Sequence, residues 1–156
     1  MIFCGIDPGK SGAIVFVDEG GALEARRMPL IGKEWDLPAL ASIFVLARDC
    51  DTPTLTVLER VHAMPKQGVS STFTFGVGYG LIQGLLAARG WPFQLVPPKT
   101  WQRSVLGTTT SEKEALVAAA LRLFPALPIK RKADWGMADA ALMAEHARRL
   151  ARASAA

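Results

Sequence analysis

The sequence predicts an α/β domain, on three observations. Two short apolar runs, IFCGI at 2–6 and AIVFV at 13–17, flank a turn rich in Pro, Gly and Ser. Two further apolar runs, TLTVLE at 54–59 and WPFQLVP at 91–97, each follow a segment suited to a helix. Beyond residue 97 the pattern is helical to the end. Three strands, a helix, a strand, a helix, a strand and closing helices make one domain over 1–152, with 153–156 as a frayed tail.

The elements follow in order. Gly9, Ser11 and Gly12 suit a tight reversal between the first two strands. ALEARRM at 22–28 alternates loosely and adds a third strand before Pro29. Leu37, Leu40, Ile43, Phe44 and Ala47 recur at helical spacing, which predicts an amphipathic helix over 38–48. The strand at 54–59 ends on Glu59, and a loop, RVHAMPKQGVSS, leads into a helix from Ser71 to Arg89. That helix carries Gly76, Gly78, Gly80 and Gly84, each costing about 1 kcal/mol relative to alanine. Close contact with another helix or with the sheet would account for them.

After the strand at 91–97, PKTWQRSVLG forms a short helix closed by Gly107 as its C′ residue. Ser111 and Glu114 make a capping-box pattern for the next helix, which stops before Pro125. The last helix begins near Gly136 and ends near Arg152.

The 156 residues are half hydrophobic and 21% charged, a globular composition. No apolar run reaches the roughly 18 residues of a membrane span, and no signal peptide is evident. Cys4 and Cys50 stand far apart and form neither a disulfide framework nor a metal cluster. Cys4 reads as a buried hydrophobe. A cytoplasmic protein is expected. Eighteen basic residues against fourteen acidic give +4, which favours an anionic partner. Arg26, Arg27, Lys99, Arg103, Lys130, Arg131 and Lys132 fall in or beside expected loops, either as solvated charges or as phosphate contacts.

Three acids draw attention. Asp7 ends the first strand, Glu59 ends the fourth, and Asp139 lies in the first turns of the last helix. Strand ends in an α/β sheet face the crevice where ligands bind. Carboxylates packed together repel by about 1 kcal/mol per pair at 4 Å in water and about 4 at an effective dielectric of 20. Two Mg²⁺ ions roughly 3.5–4 Å apart would relieve that repulsion and clamp a phosphodiester for in-line attack. Alternatively Asp7 caps the turn, Glu59 is a surface acid and Asp139 meets the helix dipole. Spacing alone leaves both readings open.

Taken together, GIDPGKSGAIVF, VLERV, VPPKTWQRSVLGTTTSEKEALVAAALRLFP and ADAALMAEH resemble the RuvC-type Holliday junction resolvases of the RNase H-like superfamily. The similarity spans Ile2 to about His146. It implies a mixed five-stranded sheet, its first three strands antiparallel, flanked by helices. It also implies a homodimer that nicks four-way DNA junctions in pairs with Mg²⁺ or Mn²⁺, two ions per site and no small-molecule cofactor.

Carried over by position, Asp7, Glu59 and Asp139 would be metal ligands and catalytic residues. Lys113 would lie near DNA, as would Lys66, Lys99, Arg103 and Lys132. His62 falls in a loop that reaches the junction centre, as a base-stacking residue or as an ordinary exposed histidine. His146 is expected on the surface. The sequence departs from the family at Gly136, where an acid or histidine is common. Asp134 is the candidate replacement, either as fourth ligand or as the N-cap of the last helix. Two other functions remain open: an RNase H-fold nuclease acting on other branched or RNA-containing substrates, and a non-catalytic junction-binding protein.

Overall fold

Period-two burial sorts the first strand, β1 (Ile2–Asp7), onto two cores, and the rest of the fold is built around it. The structure is a computed structural model and describes residues 1–21, 23–46, 53, 55–62 and 68–155. β1 pairs antiparallel with β2 (Ala13–Asp18), and β2 antiparallel with β3 (Leu23–Arg27). After a small hairpin of β4 (Leu30–Ile31) and β5 (Glu34–Trp35), helix α1 (Leu37–Leu46) begins with Asp36 accepting the Ala39 N–H.

β6 (Leu55–Glu59) returns to pair parallel with β1, and β7 (Phe93–Val96) pairs parallel with β6. The sheet order is β3-β2-β1-β6-β7. It is the mixed five-stranded sheet with three antiparallel leading strands that the resemblance implied. Helices α2 (Val69–Ala88), α3 (Pro98–Leu106), α4 (Lys113–Leu123) and α5 (Gly136–Ala155) complete the fold, with a single 3₁₀ turn at Lys132–Asp134.

One face of the sheet, through Cys4, Ile6, Ile14 and Leu58, packs against Leu40 and Phe44 of α1, Ile82 and Leu86 of α2, and Trp91. The other, through Phe3, Val15 and Val57, packs against α5 and the inner sides of α3 and α4. Side chains of this size contribute about 1.5–3 kcal/mol each when fully buried. Along α5, Ala138, Ala140, Ala141, Ala144 and Ala147 are all buried, so the helix backbone comes down close to the sheet. At the crossing point a Cβ on Gly5 would overlap the Ala140 carbonyl, which is why β1 carries glycine there.

Several local expectations change. Glu112, not Ser111, stands at the α4 N-cap; its side chain makes no cap bond, and its N–H is taken by Thr110 Oγ1 at 3.0 Å. The Ser111–Glu114 capping box is therefore not formed. Gly107 does adopt the left-handed conformation expected of it, at φ 75°. The glycines of the β1–β2 turn are not among those with positive φ. Gly12 is required for room instead, because a Cβ there would overlap the Asp7 carbonyl. His146, expected on the surface, is buried in α5. The helix runs on through Arg152 to Ala155. Cys4 is buried and unpaired, whereas Cys50 lies outside the described residues. No helix among the described residues is long and apolar enough to cross a membrane.

Candidate active site

Strand parity brings the first two acids together. Phe3, Gly5 and Asp7 alternate onto the α5 face of β1, as Leu55, Val57 and Glu59 do on β6. The parallel register pairs Ile6 with Leu58, so Asp7 and Glu59 end adjacent strands at the same level. α5 then lays Asp139 over that edge, with its side chain nearly fully buried.

The three carboxylates sense one another. Burial raises the Asp7 pKa from 3.8 to about 7, with Asp139 and then Glu59 adding like-charge repulsion. The Gly9 N–H, 3.4 Å from Asp7 Oδ1, offsets part of this. Burial likewise raises Glu59 and Asp139. Glu59 Oε2 accepts a hydrogen bond at 3.0 Å from the indole N–H of Trp101, which holds its pKa down against that trend. Asp139 Oδ2 accepts from Lys113 Nζ, while its Oδ1 is buried with no hydrogen-bond partner among the described residues. Burial opposes the charge on Lys113, but Asp139, Asp7 and Glu59 outweigh it and raise its pKa.

As the side chains stand, no three His, Cys, Asp or Glu side chains among the described residues converge as ligands of one ion. The donor set nevertheless suits a hard divalent cation. It is all carboxylate oxygen, its members are pushed toward protonation by burial and, for Asp7 and Glu59, by like charge as well, and one buried oxygen is unsatisfied. Lys113 supplies a single positive charge where the acids call for more.

Asp134 goes elsewhere. Its buried carboxylate accepts from the backbone N–H groups of Lys130 (2.9 Å) and Arg131 (3.1 Å) and is bridged by the Arg27 guanidinium. The Lys130 N–H, with Arg131 and Arg27 behind it, holds its pKa below the ordinary carboxylate value. Asp134 is not among the groups that shift Asp7, Glu59 or Asp139, and it lies in the 3₁₀ turn before α5 rather than at the N-cap of that helix. Its two expected roles are thus both replaced by a brace between β3 and the loop at 130–134. Gly136 faces the β1–β2 turn so tightly that a Cβ would overlap the Ser11 carbonyl, leaving no room for an acid at that position.

Lys113, expected near DNA, is paired with Asp139. Lys99 and Arg103 are exposed on α3, on the opposite side from buried Trp101. Lys132 is exposed with its ammonium 5.4 Å from the Trp135 ring centre. His62 is exposed at the start of the loop after β6, whereas Lys66 lies outside the described residues. Sequence reasoning missed Trp101 and Arg27. Neither stands out by residue type, since one reads as core and the other as a surface charge; only the sheet order puts each beside its acid.

This edge-of-sheet acid cluster on a mixed β3-β2-β1-β6-β7 sheet defines a RuvC-like α/β fold. The solved structures it resembles include Thermus thermophilus RuvC, at 20% identity and a TM-score of 0.66, covering 99% of this chain and 97% of that one. T. thermophilus RuvC in complex with Holliday junction substrate is similar at 17% identity and a TM-score of 0.72, covering 99% and 96%. The yeast mitochondrial Holliday junction resolvase Ydc2 follows at 16% and 0.52, covering 94% and 77%. No family model matches the sequence, and no curated protein matches it either.

Proposed function

We propose that this chain is a structure-selective DNA endonuclease that resolves four-way junctions by paired, Mg²⁺- or Mn²⁺-dependent nicks as a homodimer. The observation that carries the reading is the meeting of half-buried Asp7 and Glu59 with buried Asp139 at one sheet edge. A fold shared with junction resolvases supports it. Asp7, Glu59 and Asp139 would hold the ions, two per site, which when bound supply the Lewis acidity that phosphodiester hydrolysis needs. The protein's own part is to crowd these acids and fix them on two strands and a helix, so that a bound cation would relieve the burial and like charge that now favour their protonation. Lys113, now paired with Asp139, would be free to meet a phosphate if a cation took its place. Lys99, Arg103 and Lys132, with Lys66 and His62 between β6 and α2 in sequence, would hold the DNA backbone and the junction centre. Asp134 serves that surface by fixing the backbone of Lys130 and Arg131.

The dimer reading draws on α2. Its outward face carries Val69, Phe73 and Val77, exposed by 87%, 73% and 49%, beside Gly76, Gly80 and Gly84, where an added methyl would meet open space. Gly78, on the inward face, is pressed against Trp35 instead. An exposed apolar stripe lined with glycines suits a second α2 at close range, and it would set two sites on opposed strands.

One observation favours a non-catalytic junction-binding protein. Gly136 closes the position where the fourth ligand is common, and Asp134 is occupied. The deciding experiment compares a four-way junction, a flap, a linear duplex and an RNA–DNA hybrid with Mg²⁺ or Mn²⁺. Cutting of the junction alone is expected. Preferred cutting of the hybrid or flap would move the substrate class, and tight junction binding without cutting would favour the binding protein.

A further inference from the structure

Glu59 has the longest and most mobile side chain of the three acids. It has one more rotatable bond than aspartate, it ends a strand, and its repulsion from Asp139 pushes it away from the cluster. What opposes this, beside the charge of Lys113, is a neutral donor, the Trp101 indole N–H at 3.0 Å from Oε2. An indole donates and cannot accept, so it stabilises the ionised carboxylate. It also brings no charge to compete with a cation, unlike Lys113.

Trp101 is itself firmly seated. It is 1% exposed and lies in the core beside Val105. Its helix α3 is tied at the C-terminal end by the Arg149 guanidinium, which donates to the Ser104 carbonyl at 2.6 Å and the Val105 carbonyl at 3.3 Å. Just beyond, Gln102 Oε1 accepts the Thr110 N–H at 2.9 Å. The donor is thus fixed by the same core that carries Asp139.

We propose that Trp101 is a positioning residue that locks the Glu59 carboxylate by its indole N–H and thereby sets the divalent-cation affinity of the acid cluster. This rests on reading Asp7, Glu59 and Asp139 as cation ligands. One carboxylate oxygen is held by the indole, leaving the other for the ion. Outer partners of metal ligands are typically worth about 10–100-fold in affinity.

The test is Mn²⁺ binding by calorimetry on the full chain without DNA, for wild type, Trp101→Phe and Asp7→Asn. Phenylalanine keeps most of the packing and removes only the donor. Trp101→Phe is expected to weaken Mn²⁺ binding by about tenfold while junction binding in EDTA is unchanged. In cleavage, the half-saturating Mg²⁺ concentration should rise by a similar factor, with kcat recovering at saturation. If Asp7→Asn loses Mn²⁺ binding but Trp101→Phe binds as wild type, the positioning role is overturned and the acid site stands. Undiminished binding by Asp7→Asn overturns the site itself, and the Trp101 role with it. A Trp101→Phe chain that fails to fold leaves the wild type to decide: the Trp101 indole N–H resonance should shift with Mg²⁺ and saturate together with the calorimetric titration. An unmoved resonance would overturn the proposal.

Discussion

Replacing Asp7 by asparagine should stabilise the metal-free protein, and the gain should depend on pH. Asp7 is raised from 3.8 to about 7, first by burial and then by Asp139 and Glu59. A carboxyl whose folded pKa is raised favours the folded state when protonated. Its stabilising contribution is complete below the unfolded value and is lost as pH rises through about 7. At 1.36 kcal/mol per pKa unit, wild type should forgo up to about 4 kcal/mol by pH 8 in EDTA. Asparagine avoids that loss. At about 2–4 °C per kcal/mol for a chain of this size, Tm should rise by up to about 8–16 °C at pH 8, and the two proteins should melt together near pH 4. A saturating divalent ion should restore wild type alone, by about 2.7 kcal/mol at one hundred times its Kd. Thermal melts from pH 4 to 8, with and without Mg²⁺, measure all of this. A variant that melts at or below wild type at pH 8, or a gap that does not change with pH, would refute the claim that Asp7 is held in a crowded acid cluster.

Two glycine substitutions should move stability in opposite directions. At Gly136 a methyl meets the backbone of Ser11 and Gly12, so Gly136→Ala should lose about 1–3 kcal/mol in denaturant melts despite its better helix propensity. At Gly80 a methyl meets open space, so Gly80→Ala should gain up to about 1 kcal/mol in the monomer. Gly80→Arg should leave the fold intact but convert the proposed dimer to a monomer by light scattering, and uncouple the proposed pair of nicks; a dimer unchanged by it would remove α2 from the interface.

Much of the fold was legible because each element carried a complete local signal. The two apolar runs around residues 8–12, the acid-ended run at Glu59 and the helical spacing after Ser111 placed β1, β2, β6 and α4 close to where they lie. The β4–β5 hairpin was not legible, since two-residue strands are too short to show a period. His146 was misjudged because charges nearby on α5 suggested a polar face, whereas Arg148 and Arg149 turn in to pair with buried Glu145. In the site, Asp7 and Glu59 could be paired from strand ends alone once β1 and β6 were neighbours. The partners of the acids could not. Lys113, Trp101 and Arg27 lie 26, 42 and 107 residues from the carboxylates they hold, and no local pattern encodes contacts of that range.

The most direct test of the central claim maps the cut on each strand of a four-way junction, end-labelled on all four arms, with wild type, Asp7→Asn and Asp139→Asn in Mg²⁺. Symmetric paired nicks by wild type, and binding without cutting by both variants, are the predicted result. Undiminished cleavage by the two variants would contradict it.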